Sequence, residues 1–205
     1  MDSFEKEVKD KFDESNQLPE KIDISMAKYF WQANPLVGRK EDSIPKYLRN
    51  VNVLKNFSDN ELRVLSTFMH TRDFSDKEVI FKQTDLGMGF YFIFSGMVDV
   101  IVEDEGSKDS NSDLILTLEK YDYFGELALL QENSVRNATV ISREGCQLLG
   151  IFKPDLDHLI HSDPVVATKL LQSVSVIIAN RLFSLTKEVR ELKFKISQLG
   201  CTSVK

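Results

Sequence analysis

Cysteine is scarce: Cys146 and Cys201 are the only two in 205 residues. That is too few, and too widely spaced, for a disulfide framework or a cysteine-rich metal site. Excess positive charge is also missing. The formal net charge is −6, which argues against a general nucleic-acid role, since DNA binders carry an electrostatic footprint. No apolar run reads as long enough to span a bilayer. The N-terminus, MDSFEKEVKDKFDES, lacks the apolar stretch of a secretory signal. No P-loop, HExxH or GxSxG string occurs, so the usual signatures of nucleotide hydrolysis, zinc proteolysis and serine hydrolysis are absent. What is present is ordinary for a globular chain: 42% hydrophobic and 28% charged residues. These features point to a reduced, cytoplasmic, soluble protein that is not an enzyme.

The pattern divides the chain into three parts. Residues 1–43 form an N-terminal helical extension and linker. Phe4, Val8 and Phe12 recur at i, i+4 among many charges, the pattern of a marginal amphipathic helix that needs a partner. A second helical stretch runs from about Lys21 to Ala33 and stops before Pro35. The string NPLVGRKEDS follows as a linker. Residues 44–163 form the main domain. From Ile44 to His70 the period is helical, with Ser58 and Glu61 at capping-box spacing and Leu62, Leu65 and Met69 on one buried face. From Arg72 the period falls to two, through EVIFKQ, GFYFIFSG, MVDVIVED, DLILTLEK, ATVIS and CQLLGIF. Short strands at close spacing predict an α+β domain built on an antiparallel jelly roll. The acidic loop Glu103–Asp113 lacks EF-hand spacing and reads as a solvated hairpin tip.

Residues 164–205 form a long helix after the short helix DLDHLIHS. Leu171, Ile178, Leu185, Leu192 and Leu199 recur every seven residues, with Leu182, Val189 and Ile196 as the second seam. This is a coiled-coil register. The seam must be covered, either by the chain's own domain or by a partner helix in a homodimer. His158 and His161 share a helix face without a third ligand, so no metal site is predicted.

The chemistry concentrates in FGELALLQENSVRNATV, residues 124–140. Gly125 permits a tight turn and close approach of a ligand. The small and apolar residues after Glu126 predict a short helix whose first N–H groups face an anion. Arg136, ten positions after Glu126, offers a planar, permanently charged fork for a phosphate. Glu126 accepts from hydroxyls. Phosphate, hydroxyl and apolar walls together describe a nucleotide. A buried Glu126–Arg136 ion pair with a purely structural role fits the same spacing.

The string FGELALL followed by Arg136-Asn137-Ala138-Thr139 resembles the phosphate-binding cassette of the cyclic nucleotide-binding domain family. That family includes the bacterial catabolite activator protein and the regulatory subunits of cyclic AMP-dependent kinase. The resemblance covers roughly residues 44–190 and takes in FYFIFSGMVDVIVED as a β-hairpin turning at Gly96. It implies that Glu126 binds the ribose 2′-hydroxyl and that Arg136 pairs with the cyclic phosphate. It also implies that Gly125, Asn137 and backbone N–H groups near Leu127, Ala128 and Ala138 complete the cassette. Val100, Leu116 and Phe124 become apolar wall positions. On the long helix, Thr186 becomes a base contact, with Arg181 and Leu185 beside it. Asn137 stands where many cyclic GMP sites have threonine, which favours cyclic AMP over cyclic GMP.

The expected function is a homodimeric cyclic nucleotide receptor that changes conformation and acts on a downstream protein. No cofactor is expected, and neither DNA nor membrane is an expected partner. The activator's DNA-binding helices have no counterpart before Lys205. Two other readings share the fold: a dimeric scaffold that binds no nucleotide, and a regulatory fragment of a larger channel or enzyme. Met1 and the stop after the long helix favour a complete chain over a fragment.

Overall fold

A computed structural model describes residues 43–102, 113–131 and 133–202. The expectations for residues 1–42 and for most of the acidic loop lie outside the described residues. The helical stretch predicted from Ile44 to His70 is broken into three pieces. Helix α1 spans Ser43–Leu48, a 3-10 turn covers Asn52–Leu54, and helix α2 spans Asp59–Ser66. The capping box forms as read: the Ser58 N–H donates to Glu61 Oε2 at 2.6 Å, and the Glu61 N–H donates to Ser58 Oγ at 3.3 Å. Both orphan donors at this helix start are therefore satisfied. Leu62 and Leu65 are buried on α2, and Met69 is buried just past its end.

Six strands follow: β1 His70–Phe74, β2 Val79–Phe81, β3 Gly89–Val102, β4 Asp113–Glu119, β5 Tyr123–Phe124 and β6 Thr139–Phe152. All pairings are antiparallel, in the order β1-β6-β3-β4, with β2 also on β6 and β5 on β3. Four of the sequence segments merge into two strands, contrary to expectation. GFYFIFSG runs on through MVDVIV as one 14-residue strand, and TVIS runs on into CQLLGIF as another. Gly96 is not a hairpin turn. It sits inside β3 at φ +81° opposite Cys146, with the register shifting between Gly96 and Met97. This is a β-bulge, which bends a strand without ending it. A Cβ on Gly96 would lie 2.3 Å from the Gly145 carbonyl oxygen, so the bulge needs glycine there.

Helix α3 (Leu127–Leu130), helix α4 (Lys153–Ser162) and helix α5 (Pro164–Thr202) complete the chain. The core has two parts. One joins α1, α2, α4 and the first half of α5 to the sheet through Phe90, Phe92, Leu149 and Ile151. The other lies within the sheet around Phe81, Tyr91, Val98, Phe124 and Leu148. Polar contacts clamp the first half of α5 to the domain: Ser173 Oγ donates to the Val53 carbonyl at 2.8 Å, and Lys169 Nζ meets Glu61 at 2.8 Å. One expectation needs correction. Residues Pro164–Gln198 of α5 are long and apolar enough, by length and composition, to cross a membrane; 33% of the most apolar window is buried in the domain. Polar residues every few positions hide this stretch from a search for one unbroken apolar run.

Candidate functional site

Strand β5 delivers the chain to Gly125, paired through Phe124 to Tyr91 of β3. Gly125 has φ +79°. A Cβ there would stand 2.6 Å from Arg136 Nη1 and 2.9 Å from the Gly89 carbonyl oxygen. Glycine thus serves both the left-handed turn and the space beside the arginine. Glu126 comes next, at the start of the one-turn helix α3, which Ala128 and Leu129 anchor in the interior.

Arg136 lies on a segment that pairs with the loop before β3. Its N–H donates to the Asp85 carbonyl at 2.8 Å, and its own carbonyl accepts from the Thr84 N–H at 2.9 Å. A β-bridge between Leu86 and Val135 adds to this strap. The guanidinium is 5% exposed by residue and sits over the Phe81 ring, 4.1 Å from its centroid, with the Tyr91 ring at 5.4 Å. Aromatic faces hold a cation through their quadrupole. Nη2 donates to the Gly89 carbonyl at 3.0 Å and Nη1 to the Gly125 carbonyl at 3.3 Å. These contacts fix the plane of the fork.

Glu126 is 2% exposed. Its Oε1 accepts from Arg181 Nη1 of α5 at 2.5 Å, whereas its buried Oε2 has no hydrogen-bond partner among the described residues. The structural alternative of a Glu126–Arg136 pair is thus replaced by a Glu126–Arg181 pair, one partner of which is half exposed. An unsatisfied buried carboxylate oxygen costs free energy unless something donates to it. Nearby, burial raises the Tyr123 phenol above its ordinary value; the Arg181 cation opposes the shift and Glu126 adds to it.

Glu126 and Arg136 face one cavity of about 250 Å³. Gly125, Leu127, Asn137, Ala138, Val100, Leu116, Phe124 and Arg181, all singled out in the sequence, line it too. Three predicted residues do not. Ala128 is buried beneath α3, and its N–H donates to the Gly125 carbonyl at 3.2 Å. Leu185 is 58% exposed, and Thr186 Oγ1 donates back to the Leu182 carbonyl at 2.8 Å. Sequence reading missed Phe81, Leu118, Ser134, Val135 and Val140, which also line the cavity. The alternation of β2, β4 and β6 places apolar residues on an inner face, but only tertiary pairing shows which cavity they border. Among the described residues no group of three or more His, Cys, Asp or Glu side chains is placed to hold a metal ion.

The sheet thus presents a buried acid and a buried arginine to one small cavity. Residues 71–163 match the model of the cyclic nucleotide-binding domain. Over 113 residues, 55% of the chain, it is 31% identical to a cAMP-dependent protein kinase regulatory subunit from Schizosaccharomyces pombe, covering 26% of that protein. Over 105 residues, 51% of the chain, it is 30% identical to human cGMP-dependent protein kinase 2, covering 13% of it. Among solved structures, the catabolite activator protein of Thermus thermophilus matches with a TM-score of 0.60 and 26% identity, over 72% of this chain and 63% of that one. The chain therefore spans about a quarter or less of the length of these two kinase relatives.

Proposed function

We propose that this chain is a cyclic nucleotide receptor that binds cyclic AMP in preference to cyclic GMP and acts on a partner protein. The carrying observation is that Glu126, with one buried oxygen lacking a donor, and the caged Arg136 face the same cavity. In this reading Arg136 pairs with the cyclic phosphate through its charged fork. Glu126 Oε2 takes the ribose 2′-hydroxyl. Val100, Leu116, Leu118 and Val135 wall the base. The relatives include a cAMP-dependent kinase regulatory subunit and a cGMP-dependent kinase, so the preference for cyclic AMP rests on Asn137 standing where threonine would favour cyclic GMP.

The sheet is read as a jelly-roll-type β-roll occupying residues 44–163, with 1–43 as an N-terminal extension and 164–205 as the dimerisation helix. Arg181 supplies the route for a signal. It leaves α5 to reach the acid that grips the ribose, so a ligand hydroxyl arriving at Glu126 changes a contact between pocket and helix. That shifts the balance between two arrangements of α5. The chain acts in the cytoplasm in this reading. A nucleotide-free scaffold is the second reading, favoured by the same ion pair, which already occupies one Glu126 oxygen.

Calorimetric titration with cyclic AMP and with cyclic GMP tests the proposal. Arg136→Ala removes two charge-assisted bonds to phosphate and is expected to weaken binding at least about a hundredfold, with the fold retained. Equal affinity in the variant would refute the role of Arg136. No heat with either nucleotide, and no thermal shift, would favour the scaffold.

A further inference from the structure

Helix α5 has a second apolar face that the heptad seam does not use. Phe183 and Phe194 are 75% and 64% exposed, and Val176 is 55% exposed. Eleven residues separate the two phenylalanines, about three helical turns, so they point the same way, roughly 16 Å apart along the axis. Val176 continues the line seven residues, about two turns, before Phe183. Leu185, Leu192 and Ile196 lie well over a quarter turn away around the helix. A dimer closed through the seam leaves this ridge outside. Lys187, Arg190 and Lys193 flank it, and residues 181–195 carry five cations against two carboxylates.

The N-terminal sequence has the complementary chemistry. Residues 1–15 hold six carboxylates against three lysines, and Phe4, Val8 and Phe12 recur on one helical face. An isolated amphipathic segment of this length gains stability only by burying that face. We propose that residues 2–15 dock on the ridge of α5 formed by Val176, Phe183 and Phe194. The linking residues 16–42 reach up to roughly 90 Å when extended, and α1, where the link ends, belongs to the same core as the first half of α5. The large groove between α1 and α2 is the competing seat, and it fits less well. Its Arg49 is already engaged by Asp59 and the Phe57 carbonyl, and its Met69 is buried. Among the described residues no large exposed apolar side chain lines it.

Trypsin sites at Lys6, Lys9 and Lys11 report the docking in the full chain. Phe183→Ser with Phe194→Ser is expected to raise the cleavage rate at these lysines about tenfold or more. Phe4→Ser with Phe12→Ser is expected to do the same without touching the folded domain, and circular dichroism confirms the fold of each variant. A photoreactive amino acid in place of Val8 is expected to cross-link into residues 176–197. Unchanged cleavage in both variants, or cross-links confined to the α1–α2 groove, would overturn the proposal. So would loss of self-association in the Phe183/Phe194 variant with cleavage unchanged, which would make the ridge a face between copies. Nucleotide titration reads the cavity separately, so neither result depends on the other.

Discussion

The two halves of α5 share one helix and one heptad pattern but live in different surroundings. In the first half, Val166, Ala167, Leu170, Val174 and Ile177 are each under 5% exposed against the domain. In the second half, Leu182, Leu185, Val189, Leu192 and Ile196 are all about half exposed or more. The pattern crosses the junction without a break: Leu171 and Ile178, both seam positions, pack against the chain's own core, while Leu185 and Leu192 do not. A hydrophobic period therefore states which face must be covered, not what covers it. Arg181 stands near the junction and ties it to the cavity through Glu126.

The widest separation of the halves comes from charge in the exposed seam. Leu185→Asp with Leu192→Asp is expected to convert a dimer to a monomer on light scattering, because each buried carboxylate in a seam costs several kcal/mol. Thermal unfolding of the domain should barely change. A dimer that persists would move the self-association face elsewhere. A second comparison uses one residue type in both halves. Leu170→Ala removes a side chain that is 0% exposed and is expected to cost about 3 kcal/mol. Leu192→Ala, measured at concentrations where any dimer has dissociated, should stay within about 0.5 kcal/mol. Equal costs from denaturant midpoints would mean that the second half folds back on the domain.

Much of this was legible in the sequence where the signal is local. The Ser58–Glu61 capping box formed because both partners sit within one turn. The alternation from Arg72 onward gave strands, and the cassette string located Gly125, Glu126 and Arg136 around one cavity. Non-local features were not legible. Gly96 reads as a turn because glycine marks turns, yet the partner strand decides that it is a bulge. Phe81 could not be assigned beneath Arg136, 55 positions away, since only the folding of β2 onto β6 brings them together. Arg181, expected beside the base, reaches Glu126 in the structure, a contact between distant elements that no local pattern shows.

A smaller effect follows at the anchor of the buried half. Ser58→Ala removes the α2 cap, with an expected loss of about 1 kcal/mol, read as a lower denaturant midpoint. The loss should not be seen in the helicity of the exposed half of α5. If it were, the two halves would be coupled through α2.

The smallest expected effect is the pH dependence of that anchor. Hydrogen bonding from Lys169, then from the Ser58 N–H, lowers the Glu61 pKa from 4.5 to about 2. A carboxylate whose folded pKa is depressed contributes stability that is fully present above its unfolded value. That contribution is lost as pH falls from about 4.5 toward about 2. Denaturant midpoints at about pH 6 and about pH 3 measure it, and Lys169→Met removes the leading cause of the shift. The wild type should therefore lose slightly more stability than the variant between these two pH values. The pair is on the surface, where such contacts are worth little, so the difference should be small. Identical pH profiles would show that Lys169 does not hold Glu61 in solution and that apolar packing and the Ser173–Val53 hydrogen bond fasten the first half of α5.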